Sequence, residues 1–341
     1  MKRDLQPKPV LSTMPARRKA VAAALAVLGA AWFAPAALAQ DGTYPTRPVT
    51  LVVSAAAGGT TDIAARMIAE PLSKALGQPV VVDNRPGGNG SIAAQLVARA
   101  KPDGYTLMLQ YSGFHVITPL LVKSLSWDPV KDFAPVANIL SAPQVLVVRP
   151  SLPVKSLKEL VAYAKANPDK LNYASSGNGS LQHVSTELLN QMAGTHITHV
   201  PYKGTGPAMT DLLGGSVDLT ITTPPPLMAH IAAGKLRPLV VTSKTRLPSL
   251  KDVPSAPEAG YPDLDVSSWF AMYAPAGTPK PVIDKLTGEI EKIMRTEAFR
   301  KKAEELGAEA KYMSPQQLAQ YQKAELARWA KVIKSANIQA E

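Results

Sequence analysis

The stretch Val49-Thr50-Leu51-Val52-Val53-Ser54-Ala55-Ala56-Ala57-Gly58-Gly59-Thr60-Thr61-Asp62 decides the fold. Residues 49–54 are mostly apolar and rich in β-branched residues, with no period-two alternation, as befits a strand buried on both faces. Beyond Asp62, Ile63, Met67, Ile68, Leu72 and Leu76 recur at helical spacing, and Gly77 suits a left-handed helix stop. Strand, short loop and helix in that order are the repeating unit of a parallel sheet wound with helices. Working outward, residues 78–84 predict a second strand, 85–90 a tight loop, 91–100 a helix and 105–110 a third strand. The alternation resumes with strands at 144–148, 170–174, 196–200, 219–222 and 237–241. Helices are predicted at about 156–166, 180–193 and 206–213. Helix 180–193 places Leu181, Val184, Leu188 and Met192 on one face, with Leu189 beside them. After Trp269 the spacing turns helical, over 279–294 and 315–333. No low-complexity linker separates the two strand–helix sets. The expectation is two α/β lobes, each a mainly parallel sheet flanked by helices, joined by strands.

A chain of 341 residues has room for two domains. Its 46% hydrophobic content and mixed charges exclude a disordered chain. No apolar run supplies several membrane spans, which excludes a channel or transporter core. The absence of cysteine excludes disulfides, thiol catalysis, cysteine-based zinc sites, iron–sulfur clusters and cysteine-linked lipid anchors. Arg17, Arg18 and Lys19 precede an apolar stretch from Ala20 to Phe33, and Ala37-Leu38-Ala39 stands before Gln40. This is the layout of a secretory signal peptide, 1–39, cleaved near Ala39-Gln40 and delivering the chain to the periplasm. Met14 offers a second start for this leader, and ordinary Sec export fits it better than a twin-arginine route. Its removal takes six Lys/Arg and one acid, so the net charge falls from +11 to +6. The remaining basic residues alternate with acids, as in Glu289-Ile290-Glu291-Lys292. Nucleic acid is not an expected partner, because a basic stripe with stacking aromatics is missing. The mild positive field instead favours small anions.

Four loops carry the chemistry. Ala57-Gly58-Gly59-Thr60-Thr61-Asp62 opens a helix, whose first N–H groups are unpaired and partly positive. It reads either as an anion cradle or as a plain capped turn, with Asp62 as helix cap and support. Gly88-Asn89-Gly90-Ser91-Ile92-Ala93 fits the dinucleotide pattern. It follows the second strand rather than the first, and no acid is well placed downstream, so it reads as a structural turn and no cofactor is expected. Ser175-Ser176-Gly177-Asn178-Gly179-Ser180 is a second donor-rich strand-to-helix loop, with His183 one turn in. Two such loops, one per lobe, would face a shared crevice and suit a molecule with two anionic ends. Pro201-Tyr202-Lys203-Gly204-Thr205-Gly206 adds a compact cation and a flat aromatic wall, or is a solvated surface loop. No nucleophile elbow or HExxH motif appears. His183 and Glu187 stand four apart on a helix without a third ligand, and no metal is expected. His196 and His199 read as structural.

Together these segments resemble the substrate-binding proteins of tripartite tricarboxylate transporters, the Bug family. The resemblance is carried by Tyr44-Pro45-x-Arg47-Pro48, Gly58-Gly59-x-x-Asp62-x-x-Ala65-Arg66 and Asn84-Arg85-Pro86-Gly87. It continues through Ala100-Lys101-Pro102-Asp103-Gly104-Tyr105-Thr106-Leu107, Ser175-Ser176-Gly177-x-Gly179 and Val200-Pro201-Tyr202-Lys203-Gly204. It ends with Asp211-Leu212-Leu213-Gly214-Gly215-x-Val217-Asp218, Ala233-Gly234-Lys235-Leu236-Arg237, Glu258-Ala259-Gly260-Tyr261-Pro262 and Ala274-Pro275-Ala276-Gly277-Thr278-Pro279.

The resemblance implies a Venus-flytrap receptor of the type II periplasmic-binding-protein fold. Lobe 1 is expected to comprise 40–142 plus 268–341, and lobe 2 143–267, with hinge crossings near 140–145 and 265–270. It implies capture of a small organic acid anion, a di- or tricarboxylate or an aromatic carboxylate, by a monomer that hands it to membrane permease subunits. A periplasmic sensor feeding a signalling partner is the alternative, and a hydrolase a further one. In the family, loops matching 55–60 and 175–180 hold the carboxylate. The candidate ligand-binding residues are therefore Ala55, Ala57, Gly58, Gly59 and Thr60, then Tyr111 and Ser112, then Ser175, Ser176, Gly177, Ser180 and His183, and finally Tyr202, Lys203, Gly204 and Thr205. Where relatives carry proline and phenylalanine before the Gly-Gly pair, this chain has Ser54-Ala55-Ala56-Ala57, which leaves room for a bulkier ligand. The stretch Thr222-Thr223-Pro224-Pro225-Pro226 is unusually rigid.

Overall fold

The computed structural model describes residues 44–122 and 124–335, so the expected signal peptide lies outside the described residues. Among the described residues, no helix is long and apolar enough to cross a membrane. The chain forms β1 (Val49–Val53), α1 (Thr60–Leu76), β2 (Val80–Asn84), α2 (Ser91–Ala98) and β3 (Thr106–Tyr111). A π-helical turn at Gly113–Ile117 leads into the short α3 (Thr118–Leu121). Then come β4 (Phe133–Pro143), β5 (Val145–Val148), α4 (Leu157–Ala166), β6 (Asn172–Ser175) and α5 (Leu181–Ala193). They are followed by β7 (Thr198–Pro201), α6 (Thr205–Gly214), β8 (Leu219–Thr222), α7 (Met228–Ala232) and β9 (Arg237–Val241). The last elements are β10 (Ser267–Pro275), α8 (Lys280–Arg295), α9 (Glu297–Glu305) and α10 (Pro315–Ser335).

The strands make two five-stranded sheets, ordered β2-β1-β3-β10-β4 and β7-β6-β8-β5-β9. In the first, β1 runs parallel to β2 and β3, while β10 runs antiparallel to β3 and β4. In the second, β6 is parallel to β7 and β8, and β5 is antiparallel to β8 and β9. Both sheets are thus mixed, with fewer parallel pairings than the strand–helix alternation suggests. The antiparallel strands carry the chain between sheets: β4 ends at Pro143 in one and β5 starts at Val145 in the other. Neither β4 nor β10 is foreseen by the sequence, whereas the helix expected over 279–294 is found as α8. The reason is physical. FAPVANILSAP and SSWFAMYAP are dense apolar runs without alternation, and such runs have no period to read.

Apolar residues on both faces of each sheet build the cores. Leu51, Leu107 and Leu109 share one core with Ile68 and Leu72 of α1, Leu286 and Ile290 of α8, and Trp329 of α10. In the second sheet, Leu146, Tyr173 and Ile221 pack on Leu157 and Leu160 of α4. On its other face, Val145 and Ala174 pack on Met209 and Leu212 of α6. A fully buried side chain of this kind is worth ~1.5–3 kcal/mol. Helix α5 is divided between the sheets. Leu181 and Val184 enter the first core and Leu189 the second, so its apolar stripe ties the two halves together.

Candidate functional site

The loop after β1 is braced from within. The Gly58 N–H donates to Asp62 Oδ2 at 3.0 Å, and Arg66 Nε donates to both Asp62 oxygens at 3.1 Å. Burial pushes the Asp62 carboxyl up, but Arg66, the Gly58 amide and Asn84 outweigh it and hold it below the usual carboxylate range. Asn84 Nδ2 donates to Ala55 O at 3.0 Å. With the Gly58 amide engaged, the amides of Thr60 and Thr61, which open α1 and have no intrahelical partner, are among the groups left for a ligand.

The loop after β6 is held by two stacked imidazoles. The His183 and His199 rings lie 4.3 Å apart at 11°. Gly179 N–H donates to His183 Nδ1 at 3.2 Å, and Ser175 Oγ lies 2.6 Å from His199 Nε2. Burial, together with the neighbouring His183, pulls the His199 pKa down to about 3, so its ring is neutral at pH 7. Ser175 Oγ also accepts from the Gly177 N–H at 3.1 Å, and Ser180 Oγ caps α5 by accepting from the His183 N–H at 3.3 Å.

The two loops meet. Thr60 Oγ1 and Thr223 Oγ1 are 2.6 Å apart. A methyl group on Gly206 would sit 2.0 Å from Ala57 O, and one on Gly204 would sit 3.0 Å from Ala56 N. Only glycine lets these backbones approach so closely. At the centre is Gln182, with its whole amide satisfied. Its Oε1 accepts from Tyr111 Oη and Ser176 Oγ, each at 2.9 Å. Its Nε2 donates to Thr205 Oγ1 and Thr222 Oγ1, each at 3.2 Å. These groups enclose a cavity of about 10 Å³, room for about one water. Ala55, Gly59, Thr60, Thr61, Tyr111, Phe114, Ser176, Gln182, Thr205, Thr223 and Phe270 line it, and none of these side chains is charged. A neighbouring space of about 40 Å³ is lined by Gly87, Gly88, Asn89, Phe114, Ser176, Tyr202 and Lys203.

Of the residues singled out in the sequence, Ala55, Gly59, Thr60, Tyr111, Ser176 and Thr205 line the first space. Ser176, Tyr202 and Lys203 line the second. Ala57, Gly58, Ser175, Gly177, Ser180, His183 and Gly204 stand behind these walls and shape the loops. Ser112 Oγ accepts from the Trp269 N–H at 3.2 Å, toward β10. Glu187, paired with His183 in the sequence as a metal seed, accepts from Tyr173 Oη at 2.7 Å. Sequence reasoning misses Gln182, Thr223, Asn89, Phe114 and Phe270. The signal for Gln182 is its place in the same donor-rich helix start, and Thr223 lies in the rigid Thr-Thr-Pro stretch.

Residues 64–338 match the family model described as the tripartite tricarboxylate transporter family receptor. The chain belongs to that family. The protein BugT of Bordetella pertussis is 38% identical over 293 residues, covering 86% of this chain and 90% of BugT. The solved structure of Rpa4515 from R. palustris, with adipate, has a TM-score of 0.85 and 43% identity, covering 87% of this chain and 99% of that one. MatC from Rhodopseudomonas palustris, with bound malate, has a TM-score of 0.81 and 37% identity, covering 85% and 100%. The receptor's fold is that of solved periplasmic binding proteins, two α/β lobes with mixed sheets. A receptor of this family is a solute-binding protein, and the cavity described above lies where its two sheets' loops converge.

Proposed function

We propose that this receptor captures a small organic acid, a dicarboxylate in the first instance, between its lobes in the periplasm and delivers it unchanged to membrane permease subunits. The lobes are residues 40–142 with 268–341, and 143–267, hinged near 140–145 and 265–270, and the receptor works as a monomer. One observation carries this reading: donor-rich loops from both sheets converge on one small polar cavity that no charged side chain occupies. A carboxylate there would meet the Thr60 and Thr61 amides from one side and, from the other, the Thr205 hydroxyl, with the Ser176 hydroxyl joining once it turns from Gln182 Oε1. Adipate and malate in two similar structures support the class. Hydrogen bonds to a charged group contribute about 1.5–3 kcal/mol each. A few, less closure and ordering costs, give about −8 kcal/mol, a micromolar Kd. A cavity of about 10 Å³ is too small for a six-carbon acid, so binding requires the lobes to separate and close again around the ligand.

The test is a thermal-shift screen of residues 40–341 against organic acids, neutral solutes, nucleotides and metal ions. A ligand that binds only the folded state raises the midpoint. Shifts confined to a few related carboxylates are expected. Shifts with neutral solutes, nucleotides or metals alone would overturn the proposal.

A further inference from the structure

We propose that the space beside Lys203 and Asn89 is a second anion subsite, so that this receptor tells a dicarboxylate from a monocarboxylate of the same length. The inference rests on the carboxylate-binding reading above and adds what holds the far end of the ligand.

The two spaces adjoin, since Phe114 and Ser176 line both. Their chemistry differs. The first presents only neutral donors, whereas Lys203 is the single charged side chain on either wall. Neutral hydroxyls and amides can hold one carboxylate by hydrogen bonds. A second carboxylate a few carbons away gains from a counter-charge, and the second space supplies one.

The base of Lys203 is fixed although its tip is exposed. On its N-terminal side, the Tyr202 N–H donates to Ser175 O at 3.0 Å, and Tyr202 Oη donates to Asp211 Oδ2 at 2.6 Å. On the other side, Gly204 backs onto Ala56 of the opposite loop. Among the described residues, Lys203 has no ion-pair partner, while Arg66, Arg85 and Arg149 each hold a carboxylate. The facing wall is the turn at Gly87, Gly88 and Asn89. Asn89 holds φ +52, a conformation that asparagine tolerates better than most residues. Its side chain leans over Gly177, where a methyl group would come within 2.6 Å of Asn89 Oδ1. The subsite is therefore assembled from both lobes, and it exists only when they meet. A lysine, a compact ammonium on a flexible stem, suits a group whose distance from the first carboxylate varies with chain length.

The experiment is isothermal titration of residues 40–341, as wild type, Lys203→Gln and Lys203→Arg. Succinate and adipate are each compared with the monocarboxylate of equal length, butyrate and hexanoate. In the wild type, at least one diacid is expected to bind about tenfold tighter than its monoacid, a gap that narrows with added salt. Lys203→Gln should close most of the gap by weakening the diacid far more than the monoacid, while Lys203→Arg keeps most of it. An intact gap in Lys203→Gln would overturn the subsite. Equal weakening of diacids and monoacids would do the same, by making Lys203 a support for the loop. If no acid bound the wild type, the carboxylate reading itself would fail, and this one with it.

Discussion

Gly59 is where a branched side chain would decide the fate of the cleft. Its φ of −84° and ψ of 168° are open to any residue, so a side chain there brings no backbone strain. The cost is local: its Cβ would lie 3.5 Å from Thr205 Cβ across the lobes. Alanine fits at that distance, whereas the branched carbons of valine reach into a cavity with room for about one water. Gly59→Val is therefore expected to weaken acid binding about tenfold or more, ~1.4 kcal/mol, with the thermal midpoint nearly unchanged. Titration calorimetry beside a melting curve checks both halves. Unchanged affinity would take this loop out of the site. Gly58 next door is a poorer probe, because its φ of +82° makes any substitution strained.

Two segments that signal the family in the sequence turn out to be partners in the structure. Tyr44 Oη donates to Gly104 O at 2.7 Å, Arg47 lies 3.9 Å over the Tyr105 ring, and Arg47 pairs with Asp103 at 3.1 Å. The turn entering β3 is thus clamped by the segment entering β1, away from the cleft. At Gly104, with φ +83°, a methyl group would come within 2.3 Å of Val282 Cγ1 on α8. The left-handed backbone alone costs ~1–2 kcal/mol for an L-residue, and the contact adds to it. Gly104→Ala is expected to lower the thermal midpoint by roughly 4–8 °C while acid affinity at 25 °C stays within about twofold. A melting curve that moves by less than a degree would show that α8 yields freely. Element identity follows the same local logic. β1 and β8 are legible because β-branched runs between turn residues have few other uses, and α1 because Gly59, Asp62 and Gly77 punctuate it. β4 and β10 are illegible because unbroken apolar runs carry no period. The site is half legible for a related reason. Glycines and hydroxyls at a helix start announce a cradle, but nothing in Ser180-Leu181-Gln182 says that the Gln182 amide will reach Tyr111 of one sheet and Thr222 of the other. That information is tertiary.

At the scale of the whole molecule, stability and binding are both set by how the halves enclose polar groups. His115 is fully buried among Trp127, Phe133, Trp269 and Tyr273, stacking on Tyr273 at 4.3 Å. Burial pulls its pKa down to about 3, from 6.5. The folded state thus binds the proton less readily than the unfolded chain. Its contribution is whole above about pH 6.5 and is lost progressively as pH falls toward 3, by up to ~1.4 kcal/mol per pH unit. Thermal midpoints are therefore expected to be flat near pH 7 and to fall steadily below pH 6, and His115→Phe should make that slope shallower, with His199 accounting for part of what remains. Equal slopes in both proteins would assign the acid sensitivity elsewhere. The central claim concerns where an acid sits, and a crystal structure of residues 40–341 with the carboxylate giving the largest thermal shift tests it most directly. The account predicts one carboxylate within hydrogen-bond distance of the Thr60 and Thr61 amides and the Thr205 hydroxyl, with the Ser176 hydroxyl turned from Gln182 toward it and both lobes in contact with the ligand. An acid bound to one lobe alone, or away from these loops, would contradict it.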